Sequence, residues 1–442
     1  MQRRPLHELK DSGIRWLGVV PSSWNMVPLW TLFRRVKRTE YEGEQLLSVY
    51  RDFGVVPKAS REDNFNKPSD DLSPYQLVEP GDLAINKMKA WQGSVAVSEH
   101  RGIVSPAYFV FQATHRQNWR YLHYLLRSSE YTAGYLSISK GIRPNQWDLE
   151  PQEHSRMPVL LPPLSEQTAI ATFLDRETGK IDALVGGQKR LIELLKEKRQ
   201  AVISYAVTKG LDPTARMKDS GMECLGDVPE HWNVTRLKFV AVVQTGTAKG
   251  KDLAGQATIK VPYLRVANVQ DGYIDLSDVA EIEVPVGDLD RYLLRQGDVL
   301  MNEGGDFDKL GRGGIWDGSI DPCIHQNHVF AVRPHGVLPE WLNMVTSSAY
   351  GRFYFMSRSK QSTNLASISS TNLMELPMAL PPTDEQASIL VWLSEQLGQV
   401  RALEEQCERS ISLLQERRSA LISTAVTGKI DLHGPAAREQ AA

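Results

Sequence analysis

The chain has 442 residues, 41% of them hydrophobic and 24% charged, which is ordinary for a globular protein of about three domains. Its formal net charge of -2 argues against a polycation that coats nucleic acid without specificity. The cysteines Cys224, Cys323 and Cys407 are too far apart for a zinc or disulfide pattern, and no signal core or long apolar run is present, so we expect a cytoplasmic protein without a membrane segment.

The chain begins with a turn-rich segment that recurs near its middle. LKDSGIRWLGVVPSSW begins at Leu9, and MKDSGMECLGDVPEHW begins at Met217. The two copies share Gly, Pro and Trp at matching positions, and these residue types shape turns and fill cores. We predict a structural clasp at the start of each half rather than a site of chemistry.

Short strands follow each clasp, marked by β-branched and aromatic residues. In the first half they lie at 46–56, 81–88, 93–99 and 105–112, and in the second half at 261–274, 297–305 and 327–334. A helical segment comes next in each half, at 118–131 and 339–355. We therefore predict mixed α+β domains over residues 1–160 and 213–379.

The two predicted domains differ in charge. Residues 1–160 contain 21 Lys and Arg against 17 Asp and Glu, a net +4, whereas residues 217–379 contain 15 against 20, a net -5. Any DNA contact in the second half must therefore depend on the placement of a few cations.

A pair of long helical segments forms the strongest repeat. Residues 161–208 and 380–427 align without a gap at an offset of 219 and share 22 of 48 residues. Apolar residues recur in both at steps of three and four, which predicts an apolar seam on an otherwise solvated helix. The predicted seam consists of Ile181, Leu184, Leu191, Leu195, Val202, Val400, Leu403, Leu414 and Leu421.

We predict that these helices, over 161–212 and 380–432, pack antiparallel as a coiled-coil spacer between the two domains, with a pseudo-twofold relation between the halves. Gly179 and Gly398 occupy matching positions and predict a break after a short first helix, so that 180–208 would span about 43 Å. Residues 433–442 are predicted to form a flexible tail. For each helix alone, a coiled-coil dimerisation element or a core hairpin remains the alternative.

Signatures of catalysis are missing from the sequence. GTAKGKD at 246–252 lacks the Walker spacing, no GxGxxG follows a strand, and GxSxG, HExxH, paired CxxC and the Asn/Asp-Pro-Pro-aromatic motif of adenine methyltransferases are absent. His325 and His328 are close in sequence but lack a carboxylate at metal-ligand spacing. We predict neither a catalytic site nor a metal site.

Two loops in each half carry side chains suited to DNA. Arg and Lys can bond guanine or neutralise phosphates, and Asn and Gln can bond adenine. The candidates in the first half are Asn86, Lys87, Lys89, Gln92, Lys140, Arg143, Asn145 and Gln146. Those in the second half are Asn302, Glu303, Arg312, Gln326, Asn327, Lys360, Gln361 and Asn364. A solvated or turn-capping role is the alternative for any one of them.

The doubled LPP..EQ entry to a long helix ending in AVT, the GDVLMNEGG strand and the VP..W opening resemble the specificity subunit of Type I restriction-modification systems. The resemblance covers essentially the whole chain. It implies that each domain reads one half of a bipartite sequence in double-stranded DNA and that the helices form an antiparallel spacer. It also implies docking of two methylation subunits, which use S-adenosylmethionine, and in the full complex two restriction subunits, which use ATP and Mg. This chain itself would hold no cofactor.

GDLAINKMK in the first half replaces the Gly-rich GDVLMNEGG, so loop contacts cannot be carried from one half to the other. The predicted helix of about 43 Å is slightly longer than one duplex turn of about 34–36 Å, which fits two domains on one face of DNA. Two other classes remain: a coiled-coil scaffold that binds only proteins, and an enzyme in its own right such as a fused methyltransferase.

Overall fold

A computed structural model describes residues 2–60, 67–143, 146–250, 255–305, 310–311, 313–361 and 366–432. The chain divides into two compact units. Unit 1 comprises Met1–Gln188 with Arg409–Ala442, and unit 2 comprises Lys189–Glu408. Each unit therefore contains one part of the first long helical segment and one part of the second.

Unit 1 is built from short antiparallel strands and three short helices. Its strands up to the first long helix are β1 (Gln2–Arg3), β2 (Leu9–Asp11), β3 (Val19–Pro21), β4 (Asn25–Pro28), β5 (Phe33–Val36), β6 (Leu47–Tyr50), β7 (Gly54–Pro57), β8 (Gln76–Val78), β9 (Leu83–Asn86), β10 (Val95–Val97), β11 (Gly102–Val104), β12 (Tyr108–Ala113), β13 (Ser139–Arg143), β14 (Gln146–Leu149) and β15 (Pro158–Leu161). The α-helices are α1 (Trp119–Leu126), α2 (Ser129–Ser137) and α3 (Pro151–Arg156), and the 3-10 turns are Leu6–Glu8, Leu29–Thr31, Lys58–Ser60 and Ala90–Gln92.

A four-stranded sheet in the order β10-β9-β12-β5 forms the centre of unit 1. Leu83 and Ile85 of β9 are fully buried and pack in one core with Tyr121 of α1 and Tyr131 of α2. The remaining strands pair as β2–β3, β4–β15, β6–β7, β8–β11 and β13–β14. The predicted strand at 46–56 is wrong as a single element, because it turns at residues 51–53 and forms the β6–β7 hairpin.

The first long helix, α4, spans Leu164–Lys209, and unit 2 repeats the architecture after it. Its strands are β16 (Met217–Asp219), β17 (Asp227–Pro229), β18 (Asn233–Arg236), β19 (Ala241–Thr245), β20 (Thr258–Leu264), β21 (Ala280–Pro285), β22 (Val299–Asn302), β23 (Gly304–Gly305), β24 (Gly313–Ile315), β25 (Ile324–His325), β26 (Val329–Pro334), β27 (Lys360–Gln361), β28 (Ala366–Ser367) and β29 (Pro377–Leu380). The helices are α5 (Leu289–Tyr292), α6 (Pro339–Ser347), α7 (Ala349–Arg358) and α8 (Ser370–Met374), with 3-10 turns at Leu237–Phe239, Val266–Asn268 and Val286–Asp288.

The sheet β24-β22-β26-β19 matches the central sheet of unit 1 strand for strand. Val299 and Met301 of β22 pack in one core with Trp341 of α6 and Phe355 of α7. Unit 2 also contains the sheets β21-β20-β25 and β23-β28-β27, and its pairs β16–β17 and β18–β29 correspond to β2–β3 and β4–β15 of unit 1. The predicted mixed α+β fold with an internal duplication is confirmed.

The second long helix, α9, spans Thr383–Val426 and is followed by β30 (Ile430–Asp431), which pairs with β1. With 46 and 44 residues, α4 and α9 are about 69 and 66 Å long at 1.5 Å per residue. Gly179 and Gly398 lie inside these helices, so the predicted break is wrong. A single interior glycine costs a helix only about 1 kcal/mol relative to alanine, which a helix this long and well packed tolerates.

The two long helices run antiparallel within each unit. In unit 1, Arg4 contacts both Glu166 near the start of α4 and Gly428 beyond the end of α9, while Asp182 pairs with Arg418 at 2.9 Å. In unit 2, Gly210 beyond the end of α4 lies beside Glu385 at the start of α9, and Leu195 packs with Val400 and Cys407.

The seam prediction is wrong for Leu184, Leu191 and Leu403, whose exposed fractions are 55%, 42% and 45%. Ile181, Leu195 and Val400 are buried, and Val202, Leu414 and Leu421 are half-buried. The buried and half-buried positions of α4 run through Ile181, Val185, Gln188, Ile192 and Leu195, alternating steps of four and three. This is a heptad register, and it selects Val185 and Ile192 over the leucines that immediately precede them. In α9 the register likewise selects Glu404 over Leu403.

Each predicted clasp packs against the start of one long helix. The buried indole of Trp24 donates to Glu166 at 3.0 Å, and the equivalent Trp232 donates to Glu385 at 3.0 Å. Both contacts involve the Glu of the repeated Glu-Gln pair. Within the described part of the chain, no helix has the length and apolar character needed to cross a bilayer.

Candidate nucleic-acid interface

The first-half candidates begin where the central strand β9 ends at Asn86. The Asn86 side chain accepts a hydrogen bond from the Met88 backbone N–H at 3.2 Å, which turns the chain sharply out of the sheet. The indole of Trp91 then donates to the Met88 carbonyl at 3.1 Å. These two bonds hold a compact loop, which we call loop A and define as residues 86–93.

The structure brings loop A together with the β13–β14 hairpin, which contains the other first-half candidates. The rings of Trp91 and Trp147 are 4.9 Å apart and tilted by 47°. In addition, the Leu149 backbone N–H donates to the Lys87 carbonyl at 3.0 Å. Two segments about 55 residues apart in sequence therefore form one surface.

Cationic and amide side chains line this surface. Lys89, Gln92 and Lys140 are exposed, and Lys87 is half-buried. For Arg143 and Gln146 the structure describes the backbone pairing across the end of the hairpin. Asn145 lies outside the described residues.

Sequence reasoning missed the β6–β7 turn, which lies beside loop A. A Cβ added at Gly93 would be 3.3 Å from Arg51 Cγ, so the base of this turn adjoins the end of loop A. Phe53 in the turn is 56% exposed. The sequence did contain a signal for this turn, because Arg51 and Phe53 lie between two runs of strand-forming residues. The prediction of a single strand over 46–56 concealed it.

Beside the turn lies a half-buried basic pair, Arg127 and His123. Arg127 donates from one nitrogen to the Arg51 carbonyl at 2.6 Å, and its other terminal nitrogen lies 2.6 Å from His123 Nε2. Burial lowers the pKa of Arg127 to about 10, and burial together with the neighbouring Arg127 lowers the pKa of His123 to about 3. His123 is therefore neutral at physiological pH, and Arg127 carries a positive charge close to the exposed turn.

In the second half, the strand β22 ends at Asn302, which matches Asn86. The prediction that Asn302 contacts DNA is wrong, because only 6% of this residue is exposed. Its amide donates to the carbonyls of Val269 at 3.0 Å and Val266 at 3.4 Å, so it ties the loop after β20 to the sheet. In sequence, an asparagine at a strand end fits both a DNA contact and an internal hydrogen-bond donor, and only its burial in the structure distinguishes the two roles.

Other second-half candidates lie beside Asn302, and several are already paired. The Glu303 carboxylate is 3.0 Å from His328 Nδ1, and Asn327 lies 3.4 Å from the other ring nitrogen of His328. The half-buried Gln326 accepts a long hydrogen bond, 3.4 Å, from the Val266 backbone N–H. A base edge would have to compete with these internal partners.

The β27–β28 hairpin brings the remaining described candidates to the same place. Lys360 and Gln361 are exposed on β27, and β28 pairs with both β27 and β23. Arg312 and Asn364 lie outside the described residues. Each half thus places a hairpin beside the loop that follows its central strand.

His325, one of the two histidines considered as metal ligands, is fully buried. Burial lowers the pKa of His325 to about 4, and its Nδ1 hydrogen-bonds the Val329 carbonyl at 2.7 Å, so this histidine is a core residue. Among the described residues, no three His, Cys, Asp or Glu side chains are grouped as ligands for a metal ion. The exposed lysines and amides suit hydrogen bonding to an anionic polymer.

Two units of one architecture, each with a polar loop beside a hairpin and each built on parts of both long helices, define a duplicated protein with one candidate recognition surface per half. The chain is 22% identical over 441 residues to the EcoKI specificity subunit of a type I restriction enzyme from Escherichia coli, covering 93% of this chain and 90% of that one. It is 23% identical over 438 residues to the StySPI specificity subunit from Salmonella potsdam, with 93% and 90% covered. The chain is therefore similar over nearly its whole length to specificity subunits of type I restriction enzymes.

A solved chain from a type I restriction-modification system has the same fold, with a TM-score of 0.65 at 16% identity, covering 93% of this chain and 99% of that one. No protein-family model matches the sequence. The predicted family resemblance is confirmed by the named relatives, which extend over both halves.

Proposed function

We propose that this chain is the sequence-reading subunit of a type I restriction-modification complex and that each half reads one part of a bipartite site in double-stranded DNA. The observation that carries the proposal is the repeated placement of a polar loop and a hairpin at the end of the central strand, once in each unit. The side chains differ between the two copies, as expected if the two half-sites have different sequences.

The first-half surface has the chemistry of a DNA contact. Lys89 and Lys140 are exposed cations that can neutralise phosphates, and Gln92 is an exposed amide that can bond a base edge. Trp91 and Trp147 provide half-buried aromatic surface between them. In the second half, Lys360 and Gln361 supply the corresponding cation and amide.

The long helices have the form of a spacer and a docking platform. Their seam is a heptad register, whereas most of the remaining positions along α4 and α9 are exposed. We propose that these helices set the distance between half-sites and bind two methylation subunits, and that two restriction subunits join in the full complex. S-adenosylmethionine, ATP and Mg would then act in those partners, and this chain would contribute recognition in the cytoplasm.

The test is to assemble the chain with the methylation subunits of its own system and sequence the adenines methylated in random duplex DNA. We expect one bipartite motif with an unread gap. Exchange of the segment 1–160 for that of another family member should change one half of the motif, and exchange of 217–379 should change the other.

An assembled complex that methylates without a bipartite motif would overturn the proposal. Protein binding without any salt-dependent affinity for DNA would instead identify a coiled-coil scaffold. Consumption of S-adenosylmethionine by the purified chain alone would identify an enzyme.

A further inference from the structure

The two halves join the loop to the hairpin by different means. In unit 1 the join is made by side chains, because Trp91 of loop A packs on Trp147 of the hairpin at 4.9 Å. One backbone bond, from the Leu149 N–H to the Lys87 carbonyl, supports it. Both indoles are half-buried, and the neighbouring Leu149 is buried in the unit 1 core.

In unit 2 the same join is made by backbone. Gly304 and Gly305 form β23, which pairs directly with Ser367 and Ala366 of the hairpin. A Cβ at Gly304 would approach the Ala366 carbonyl oxygen to 3.0 Å, so the absence of a side chain permits this close pairing. The sequence difference between NKMKAWQG and NEGG is thus a difference in how the loop is held.

We infer that Trp147 is a positioning residue for the first half-site: its ring fixes loop A relative to the hairpin, so that Lys89 and Gln92 of loop A and Lys140 of the hairpin meet the DNA in one register. This inference rests on the proposed function. Trp91 is fixed within loop A by the bond from its indole N–H to the Met88 carbonyl, so Trp147 is the ring that connects this loop to the hairpin.

The physical basis is the precision that base reading requires. A side chain discriminates bases only when its donors and acceptors hold their positions, whereas a lysine neutralises a phosphate from many positions. Loss of the ring contact should therefore weaken discrimination at the first half-site more than it weakens overall affinity. The second half-site, which depends on β23–β28 pairing, should be unaffected.

The experiment compares Trp147→Ala, Trp147→Phe and the wild-type chain, each assembled with the methylation subunits. Binding is measured for duplexes that carry the target and for duplexes with single base-pair changes in either half-site. We expect Trp147→Ala to lower discrimination at the first half-site about tenfold, the loss of one well-placed base contact, and Trp147→Phe to retain most of it. Trp119→Ala is the matched control, because this tryptophan is 36% exposed at the start of α1 in the same unit.

Several outcomes would overturn the inference. These are equal discrimination by Trp147→Ala and the wild type, a uniform loss of affinity for every sequence, and an equal loss at both half-sites. A shift with Trp119→Ala as large as that with Trp147→Ala would also overturn it. A wild-type complex without half-site preference would overturn the proposed function as well, so the two failures are distinguishable.

Discussion

The two glutamates that begin the long helices should differ in their contribution to stability, although their motif is the same. Both accept a hydrogen bond from a clasp tryptophan at 3.0 Å. Glu166 also pairs with Arg4 at 2.6 Å, and both side chains are about nine-tenths buried or more. The second partner of Glu385 is His231, whose side chain is 54% exposed.

Replacement of Glu166 by Gln keeps an acceptor for Trp24 but removes the buried carboxylate closest to the Arg4 guanidinium, which is left with the more exposed Glu8 at 3.7 Å. Breaking a buried ion pair from one side costs about 3–5 kcal/mol, and Arg4 keeps its second bond to the Gly428 carbonyl, so we expect about 3 kcal/mol. Glu385→Gln loses a carboxylate contact to the exposed His231, which contributes about 0–1 kcal/mol.

Amide hydrogen exchange separates the two units and is the appropriate measurement. Glu166→Gln should speed exchange about a hundredfold in β1, β30 and the first turns of α4, because Arg4 joins these elements. Glu385→Gln should change exchange at the start of α9 by less than about tenfold. Equal effects of the two variants, or a larger effect of Glu385→Gln, would refute the assignment of the difference to burial of the ion pair.

Three further predictions concern the helices, the cores and the DNA surface. Insertion of one heptad into both α4 and α9, about 10.5 Å by helix rise, should widen the unread gap of the methylated motif by about 3 bp, and an unchanged gap would refute the spacer role. Burial lowers the pKa of His154 to about 3, whereas in the unfolded chain this histidine binds a proton below about pH 6.5, so acid favours the unfolded state of unit 1. Calorimetry should show that His154→Phe loses about 2 kcal/mol less stability than the wild type between pH 7.5 and 5. Parallel pH profiles of the two proteins would contradict this. Joint replacement of Lys87 and Lys89 by Ala should reduce the slope of log affinity against log salt by up to about 2, measured by anisotropy, whereas an unchanged slope would remove them from the phosphate contacts.

The internal duplication, the clasps and the two long helices could be predicted from the sequence because their signals are local and periodic. A repeated Gly-Pro-Trp segment and an apolar residue at every third or fourth position specify turns and amphipathic helices wherever they occur. Lys360 and Gln361, proposed from the sequence as DNA contacts by their side-chain chemistry, are exposed in the structure. The interiors of the domains gave a weaker signal. Their strands are only a few residues long, so a sequence pattern does not separate two short strands and the turn between them from one longer strand.

Tertiary structure decided what depends on the approach of distant segments. Leu184 is apolar enough for a seam position, yet the heptad register places it on the exposed side of α4 and places Val185 in the seam. In the sequence, Asn302 is a plausible DNA contact. In the structure, the loop after β20 packs over it, and the Asn302 amide donates to the Val269 carbonyl of that loop. Trp91 meets Trp147 only because the β13–β14 hairpin folds back onto loop A. Periodicity along the chain cannot predict such contacts, because they depend on which distant surfaces pack together when the whole domain folds.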